Sequence, residues 1–372
     1  MSKPKYLYID DENDTSVDSI RDGFNDIGLI EVEIYPLEKT RSFEELKSNL
    51  IKLESEFDGL ILDLRLDGDG PNRVGFSAPT LAQDLRTIQA RRELKSFPIV
   101  LCSTEPKLRG TYTVDKSSHD LFDYKFVKSV SPEFGKFSKK LSSLSCDYAW
   151  LIKEGRSIKD VLDRDNLNDI DSRIYEKFLI GEIQMLPNDY SKFVINNLFH
   201  HPGALIKERF LAARLGIDID ESNDWKKLKE EVFYECRYSG LFSTGWERWW
   251  SDLVIAFFER LSGGKDLASL NAEQRVAILI ENTECKKLVF AKPIDYCVST
   301  EYWTVCEGHK RPLDPLEGLI VYEKSELKPW QENKYISFHA AEVERLGRDR
   351  GLKPHPMEED KIAAMKDFIS KS

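Results

Sequence analysis

The sequence predicts an α/β protein: an N-terminal doubly wound, five-stranded parallel sheet, then a mainly helical region and a small α+β region. Three observations predict it. Short apolar runs without polar alternation recur through the first 130 residues, which suits strands covered on both faces. Segments with helix-spaced apolar residues separate most of them. Four of the runs end in acidic, hydroxyl or ammonium side chains, at the carboxyl ends of strands where an open parallel sheet forms its binding crevice.

Taken in order, Tyr6-Leu7-Tyr8-Ile9 is the first strand and delivers Asp10-Asp11, and residues 16–27 form the first helix. Residues 30–35 are the second strand and 42–57 the second helix. Leu60-Ile61-Leu62 leads to Asp63, and residues 79–94 form the third helix with Pro79 in its first turn. Ile99-Val100-Leu101-Cys102 leads to Ser103-Thr104. Residues 105–121 are polar with a weak helical pattern, read as a remodelled fourth helix, and Phe126-Val127 leads to Lys128.

The residue types define a chemistry. Three carboxylates at Asp10, Asp11 and Asp63 repel one another unless a hard cation sits among them, and oxygen ligands suit Mg²⁺ or Mn²⁺. Lys128 adds a positive point charge and Ser103 a hydroxyl donor, with Thr104 beside it, so that a phosphoryl group would be neutralised there. Asp63, alone at its strand end, is the expected acceptor.

Residues 1–130 thereby resemble a response regulator receiver domain of two-component signalling, a flavodoxin-like fold. The resemblance rests on the acidic pair Asp10-Asp11, then Asp63, Ser103 and Lys128 in that order. It implies that Asp10 and Asp11 hold the metal, Asp63 accepts phosphate, Ser103 is the switch hydroxyl, and the backbone carbonyl of Arg65 is a further metal ligand. The loop Leu66-Asp67-Gly68-Asp69-Gly70 resembles the glycine-containing turn after the acceptor. Lys125 stands where the family has an aromatic residue, and Ser129 where it commonly has proline, which points to a non-standard output. The partners implied are a histidine kinase or phosphotransfer protein.

Beyond Lys128, Phe134, Phe137, Leu141, Leu144, Tyr148 and Leu151 recur with heptad spacing. This admits two readings: a continuous connector helix across residues 131–156, available as a homodimer seam, or a fifth helix packed on the sheet and broken near Ser145-Cys146-Asp147. Residues 157–282 carry helical patterns over 157–162, 171–185, 190–199, 204–215, 224–236, 246–261 and 272–280, separated by glycine and proline. Residues 283–372 read as strands over 287–291, 296–304, 319–323 and 334–339, then helices over 341–346 and 357–369. This last region is a separate small domain or part of one effector with 157–282.

Several other motifs have a plainer structural reading. The segment 210–217 resembles the start of a helix-turn-helix, but acidic residues follow and no basic recognition helix does, so a core helix is preferred. Trp246, Trp249 and Trp250 with Arg248 could stack a planar ligand, yet their spacing fits one buried helical face. Cys285, Cys297, Cys306 and His309 lack a Cys-x-x-Cys pair, so zinc is not expected. Gly263-Gly264-Lys265 lacks the remainder of a nucleotide-binding P-loop.

The net charge of −11 argues against a general polyanion binder, and no apolar stretch is long enough to span a bilayer. With six cysteines and no secretory signal, a cytoplasmic protein with reduced thiols is expected. The function expected is a phosphorylated signalling protein whose C-terminal part binds another protein. Alternatives are a C-terminal enzyme effector, for example in stress or phage-defence signalling, and, ranked last, a DNA-binding transcriptional regulator.

Overall fold

The structure, a computed structural model, describes residues 3–12, 15–40, 42–68, 70–104, 120–128, 133–153, 156–179, 185–324, 326–347 and 351–371. The expected fourth helix, Asp69 and Ser129 lie largely or wholly outside these residues. The protein is α/β, with five parallel strands in the order β2-β1-β3-β4-β5. The strands are β1 (Lys5–Ile9), β2 (Glu31–Ile34), β3 (Gly59–Asp63), β4 (Ile99–Ser103) and β5 (Tyr124–Val127). Helices α1 (Thr15–Ile27), α2 (Phe43–Lys52) and α3 (Ala78–Ala90) alternate with them, and α4 (Phe134–Leu151) follows β5.

β3 and β4 are buried at every position, which explains their lack of polar alternation. Leu7, Ile9, Leu60, Leu62, Ile99 and Leu101 share one core with Leu46, Leu50, Leu81 and Leu85 of α2 and α3. Side chains one residue out of phase point to the opposite face. There Tyr6 donates its hydroxyl to the carbonyl of Leu141 in α4, and Phe24 of α1 meets Phe126 and Phe134 edge-on at 5.6 and 5.0 Å. Below the sheet's crevice edge, Asp123 pairs with Arg86 at 2.6 Å and accepts from the Ile99 amide and the Tyr148 hydroxyl.

The chain forms two compact units. The first comprises residues 1–161, 181–195 and 240–246, so the unit that holds the sheet takes in chain from much later in the sequence. In it α4 runs unbroken through Cys146 for 18 residues, without the break considered near Ser145-Cys146-Asp147. Its seam residues Leu141, Leu144, Tyr148 and Leu151 are buried within the chain, so they do not present the apolar stripe that a homodimer through residues 134–151 requires. Segment 240–246 lies along α4: the Phe242 amide donates to Asp147 at 2.6 Å, and Thr244 donates to Ser143 at 2.8 Å. Trp246 meets Tyr124 of β5 edge-on at 5.5 Å, with the Lys140 ammonium over both rings.

The second unit comprises residues 162–180, 196–239 and 247–372. Its main core gathers Phe210, Leu211, Leu215, Phe233, Trp249, Val254, Phe258, Val276 and Leu279. The expected helix over 204–215 begins only at Glu208, because Leu205–Ile206 pairs antiparallel with Trp249–Trp250 as β6 and β7. The same pairing replaces the first turn expected for 246–261, leaving a helix over Ser251–Leu261. Trp249 and Trp250 are core residues as expected, but on a strand. Residues 224–236 form three short turns of α, π and 3₁₀ type instead of one helix. The segment 287–291 contributes only an isolated bridge, Ile217 to Phe290. Six residues of the Glu208–Leu215 helix, Phe210 to Leu215, are buried, as a core helix requires.

Short antiparallel pairs close this unit: β8 (Thr304–Val305) with β9 (Pro312–Leu313), and β10 (Leu319–Ile320) with β11 (Tyr335–Ile336). The expected strands over 296–304, 319–323 and 334–339 are thus each reduced to two residues. No helix among the described residues is long and apolar enough to cross a membrane.

Candidate functional site

Parallel register brings the predicted residues to one edge. Ile9 pairs with Leu62, Asp63 with Cys102, and Ser103 with Val127, so Asp10, Asp63, Ser103 and Lys128 leave adjacent strand ends. The Lys128 amide donates to the Ser103 carbonyl at 2.8 Å and extends the ladder to the lysine itself. Carboxylate oxygens of Asp10, Asp11 and Asp63 lie within 4.8 Å of one another. All three residues are buried, at 3 %, 2 % and 1 % exposure.

Lys128 bridges two of them, its Nζ 2.6 Å from Asp10 and 2.7 Å from Asp63. Burial alone would lower the ammonium's pKa, but the charges of Asp63 and Asp10 outweigh it and raise the value. Among the described residues Asp11 has no such ammonium partner. Burial first, then the charges of Asp10 and Asp63, push its carboxyl above the ordinary range, opposed by the Gly70 amide that donates at 3.1 Å. Three carboxylates and one ammonium leave two negative charges for a divalent cation to offset. The donor set therefore fits Mg²⁺ or Mn²⁺.

Ser103 Oγ is fully buried and has no hydrogen-bond partner among the described residues, although a buried hydroxyl ordinarily finds one. It stands on the strand between Asp63 and Lys128 and is available to a ligand oxygen. Thr104 follows, half-buried. The Arg65 amide donates to Asp63 Oδ2 at 2.9 Å, while its carbonyl accepts from Gly68 at 3.3 Å and keeps a second lone pair.

Two contributors, Tyr8 and the Glu12 amide, were not read from the sequence, and a third, Gly70, was read only as part of the glycine-containing turn. Tyr8 donates its hydroxyl to Asp10; strand periodicity places the two on one face, which was the available signal. The Glu12 amide donates to Asp10 at 3.1 Å. At Gly70 an added Cβ would stand 2.4 Å from the Asp11 carbonyl oxygen and 2.6 Å from its carboxylate, so only glycine lets this loop close on Asp11. Of the four zinc candidates, Cys306 Sγ lies 3.8 Å from His309 Nδ1, whereas Cys285 belongs to the main core of the second unit.

No family model matches the chain, and no curated protein matches it. Among solved structures it is similar to a chain of the co-crystal structure of the Saccharomyces cerevisiae histidine phosphotransfer signaling protein Ypd1 and the receiver domain of its downstream response regulator Ssk1. The identity is 15 %, the TM-score 0.27, and the match covers 39 % of this chain and 90 % of that one.

Proposed function

We propose that this chain is a response regulator-like signalling protein that accepts a phosphoryl group on Asp63. The observation that carries the reading is the fully buried Ser103 hydroxyl, without a partner among the described residues, beside an ammonium and three carboxylates at one sheet edge. A hard divalent cation held by Asp10, Asp11, Asp63 and the Arg65 carbonyl would supply neutralising charge to the phosphoryl oxygens. An Asp63 carboxylate oxygen forms the new bond to phosphorus. The bond to the donor breaks: phosphorus–nitrogen in a phosphohistidine of a kinase or phosphotransfer protein, phosphorus–oxygen in a small acyl phosphate. The leaving group takes the electron pair.

Lys128 then pairs with the phosphoryl oxygens, and Ser103 donates its hydroxyl to one of them. The new group carries about 1.5 to 2 negative charges, as other phosphorylated side chains do. Ser103 and Lys128 flank the β4–β5 ladder, and β5 begins at Tyr124, against which Trp246 and Lys140 pack. A shift in β5 is therefore felt by segment 240–246, which continues directly into residues 247–372. We assign output, by protein binding or catalysis, to that second unit. DNA binding is not favoured, because the Glu208–Leu215 helix is spent on the core.

Labelled acetyl phosphate with Mg²⁺ tests this. The chain should take up one phosphoryl group, and Asp63→Asn should take up none. Equal labelling of Asp63→Asn refutes the acceptor assignment.

A further inference from the structure

A second constellation lies in the C-terminal unit, on residues with no part in the chemistry above. The turn between β8 and β9 runs Cys306-Glu307-Gly308-His309-Lys310-Arg311 and is closed by the Lys310 amide on the Cys306 carbonyl at 2.7 Å. It is pinned to β11 by the Glu307 amide on the Tyr335 carbonyl at 2.8 Å. Gly308 fits against the next element: a Cβ there would lie 2.6 Å from that of Ala340. The turn thus presents His309 to the chain that follows β11.

That following chain is a π-helix over His339–Val343. In an α-helix, residues three and four apart share a face. Here the Glu344 amide donates to the His339 carbonyl at 2.9 Å, a five-residue repeat that brings His339 and Glu344 together. His309 Nε2 lies 2.7 Å from Glu344 Oε2, and His339 Nε2 lies 4.0 Å from Glu344 Oε1. The two imidazoles are 5.3 Å apart and tilted by 32°. One nitrogen from each ring and one Glu344 oxygen fall within 4.8 Å of one another.

We propose that His309, His339 and Glu344 form a zinc-binding site. Zinc takes imidazole nitrogen and carboxylate oxygen at about 2.0–2.2 Å in a tetrahedron, whose edges are then about 3.4 Å. The two rings reach different Glu344 oxygens, Oε2 at 2.7 Å and Oε1 at 4.0 Å, distances on either side of that edge, so rotation of the carboxylate and the rings brings one oxygen to both nitrogens. Two imidazoles make the site borderline-soft, which favours zinc over Mg²⁺ or Ca²⁺. The outer contacts have the form such a site needs. His309 Nδ1, the nitrogen turned away from Glu344, lies 3.4 Å from Ser337 Oγ and 3.8 Å from Cys306 Sγ, which orient the ring. The Ser337 amide donates to Cys306 Sγ at 3.2 Å and holds that sulfur in place.

Cys306 faces the far nitrogen of His309, so the protein supplies three ligands and leaves a fourth position for water or an oxygen-donor ligand. Both imidazoles are partly exposed and Glu344 more so, which gives the ion a path of entry. This ligand set differs from Cys285, Cys297, Cys306 and His309. It combines one residue of the Cys-x-x-His turn with a pair that meets only through the π-turn.

The test uses metal-stripped full-length protein with Co²⁺ as a spectroscopic probe for Zn²⁺. The intact chain should bind one equivalent with the intense visible bands of tetrahedral Co²⁺, and Zn²⁺ should abolish them while excess Mg²⁺ does not. His339→Ala and Glu344→Gln should each weaken the binding by more than about a hundredfold, and Ser337→Ala by about tenfold or more, the range seen when outer partners are removed. Glu344 is 41 % exposed, so its isosteric replacement leaves the fold intact, checked by circular dichroism. Absence of the bands in the intact chain, or equal Co²⁺ binding by Glu344→Gln, overturns the proposal. Asp63→Asn should bind Co²⁺ at this site like the parent, which separates the outcome from that of the phosphorylation experiment.

Discussion

Replacing Lys128 by Met probes how the sheet-edge carboxylates are held. Met keeps most of the stem volume, so the loss is one of charge. Lys128 forms two contacts, at 2.6 and 2.7 Å, to side chains that are 0 % and 2 % exposed. Removing one partner of a buried ion pair costs about 3–5 kcal/mol, because the remaining charge stays desolvated. Asp10 keeps the Tyr8 hydroxyl and Glu12 amide, and Asp63 keeps the Arg65 amide, so the lower end, about 3 kcal/mol, is expected. Without the lysine the site carries three negative charges instead of two, which strengthens its affinity for a divalent cation. Saturating Mg²⁺ stabilises both proteins, so the deficit falls only by RT ln of the ratio of their affinities, about 1.4 kcal/mol for a tenfold tighter variant site. Urea unfolding should therefore show a deficit of about 3 kcal/mol in EDTA that shrinks to about 1.5 kcal/mol in saturating Mg²⁺. A deficit below about 1 kcal/mol in EDTA, or one that Mg²⁺ leaves unchanged, refutes the reasoning.

Three further outcomes follow from the same geometry. Gly70→Ala forces a Cβ into the backbone and carboxylate of Asp11, and should weaken Mg²⁺ binding at least tenfold, measured by calorimetry, while leaving Co²⁺ uptake in the C-terminal unit unchanged. Asp123→Ala removes the counter-charge of Arg86, which keeps only neutral acceptors, and the acceptor of the Ile99 amide and the Tyr148 hydroxyl, and should cost about 3–5 kcal/mol in denaturant unfolding. Asp147 is pushed up to about 6 by burial, against the opposing Phe242 amide and Ser143 hydroxyl. A carboxyl raised in the folded state contributes stability below its unfolded value, near 4, that is lost as pH rises through about 6. Relative to Asp147→Asn, the parent should therefore lose about 1–2 kcal/mol between pH 4 and 7, and parallel pH profiles would contradict this.

The sheet was legible because β1, β3 and β4 are apolar without alternation, a pattern that only double burial explains. The site was legible for the same reason: each functional residue stands one step past its run, and parallel register turns that into proximity. The second unit resisted because its elements are short and set by pairings distant in sequence, so local apolar spacing does not report backbone period. Leu205–Ile206 and Trp249–Trp250 carried helix-like spacing, yet pair as strands across more than forty residues, a contact no local pattern encodes. Residues 224–236 kept a helical pattern while switching among α, π and 3₁₀ turns. His339 and Glu344 were invisible as a pair because a five-residue spacing puts them on one face only in a π-turn.

Segment 240–246 has a consequence for how this protein is inherited and made. A sheet domain that ends where its last helix ends can be cut out and joined to new neighbours as a cassette. Here Trp246, Thr244 and Phe242 pack on it from beyond an intervening stretch that belongs mostly to the other unit. During synthesis, Asp147 waits for 95 further residues before its Phe242 partner is made, and Tyr124 and Lys140 wait longer for Trp246. A fragment ending after α4 keeps the five strands but exposes those side chains. Recombination at that point carries the same defect, so the two units are expected to have travelled together.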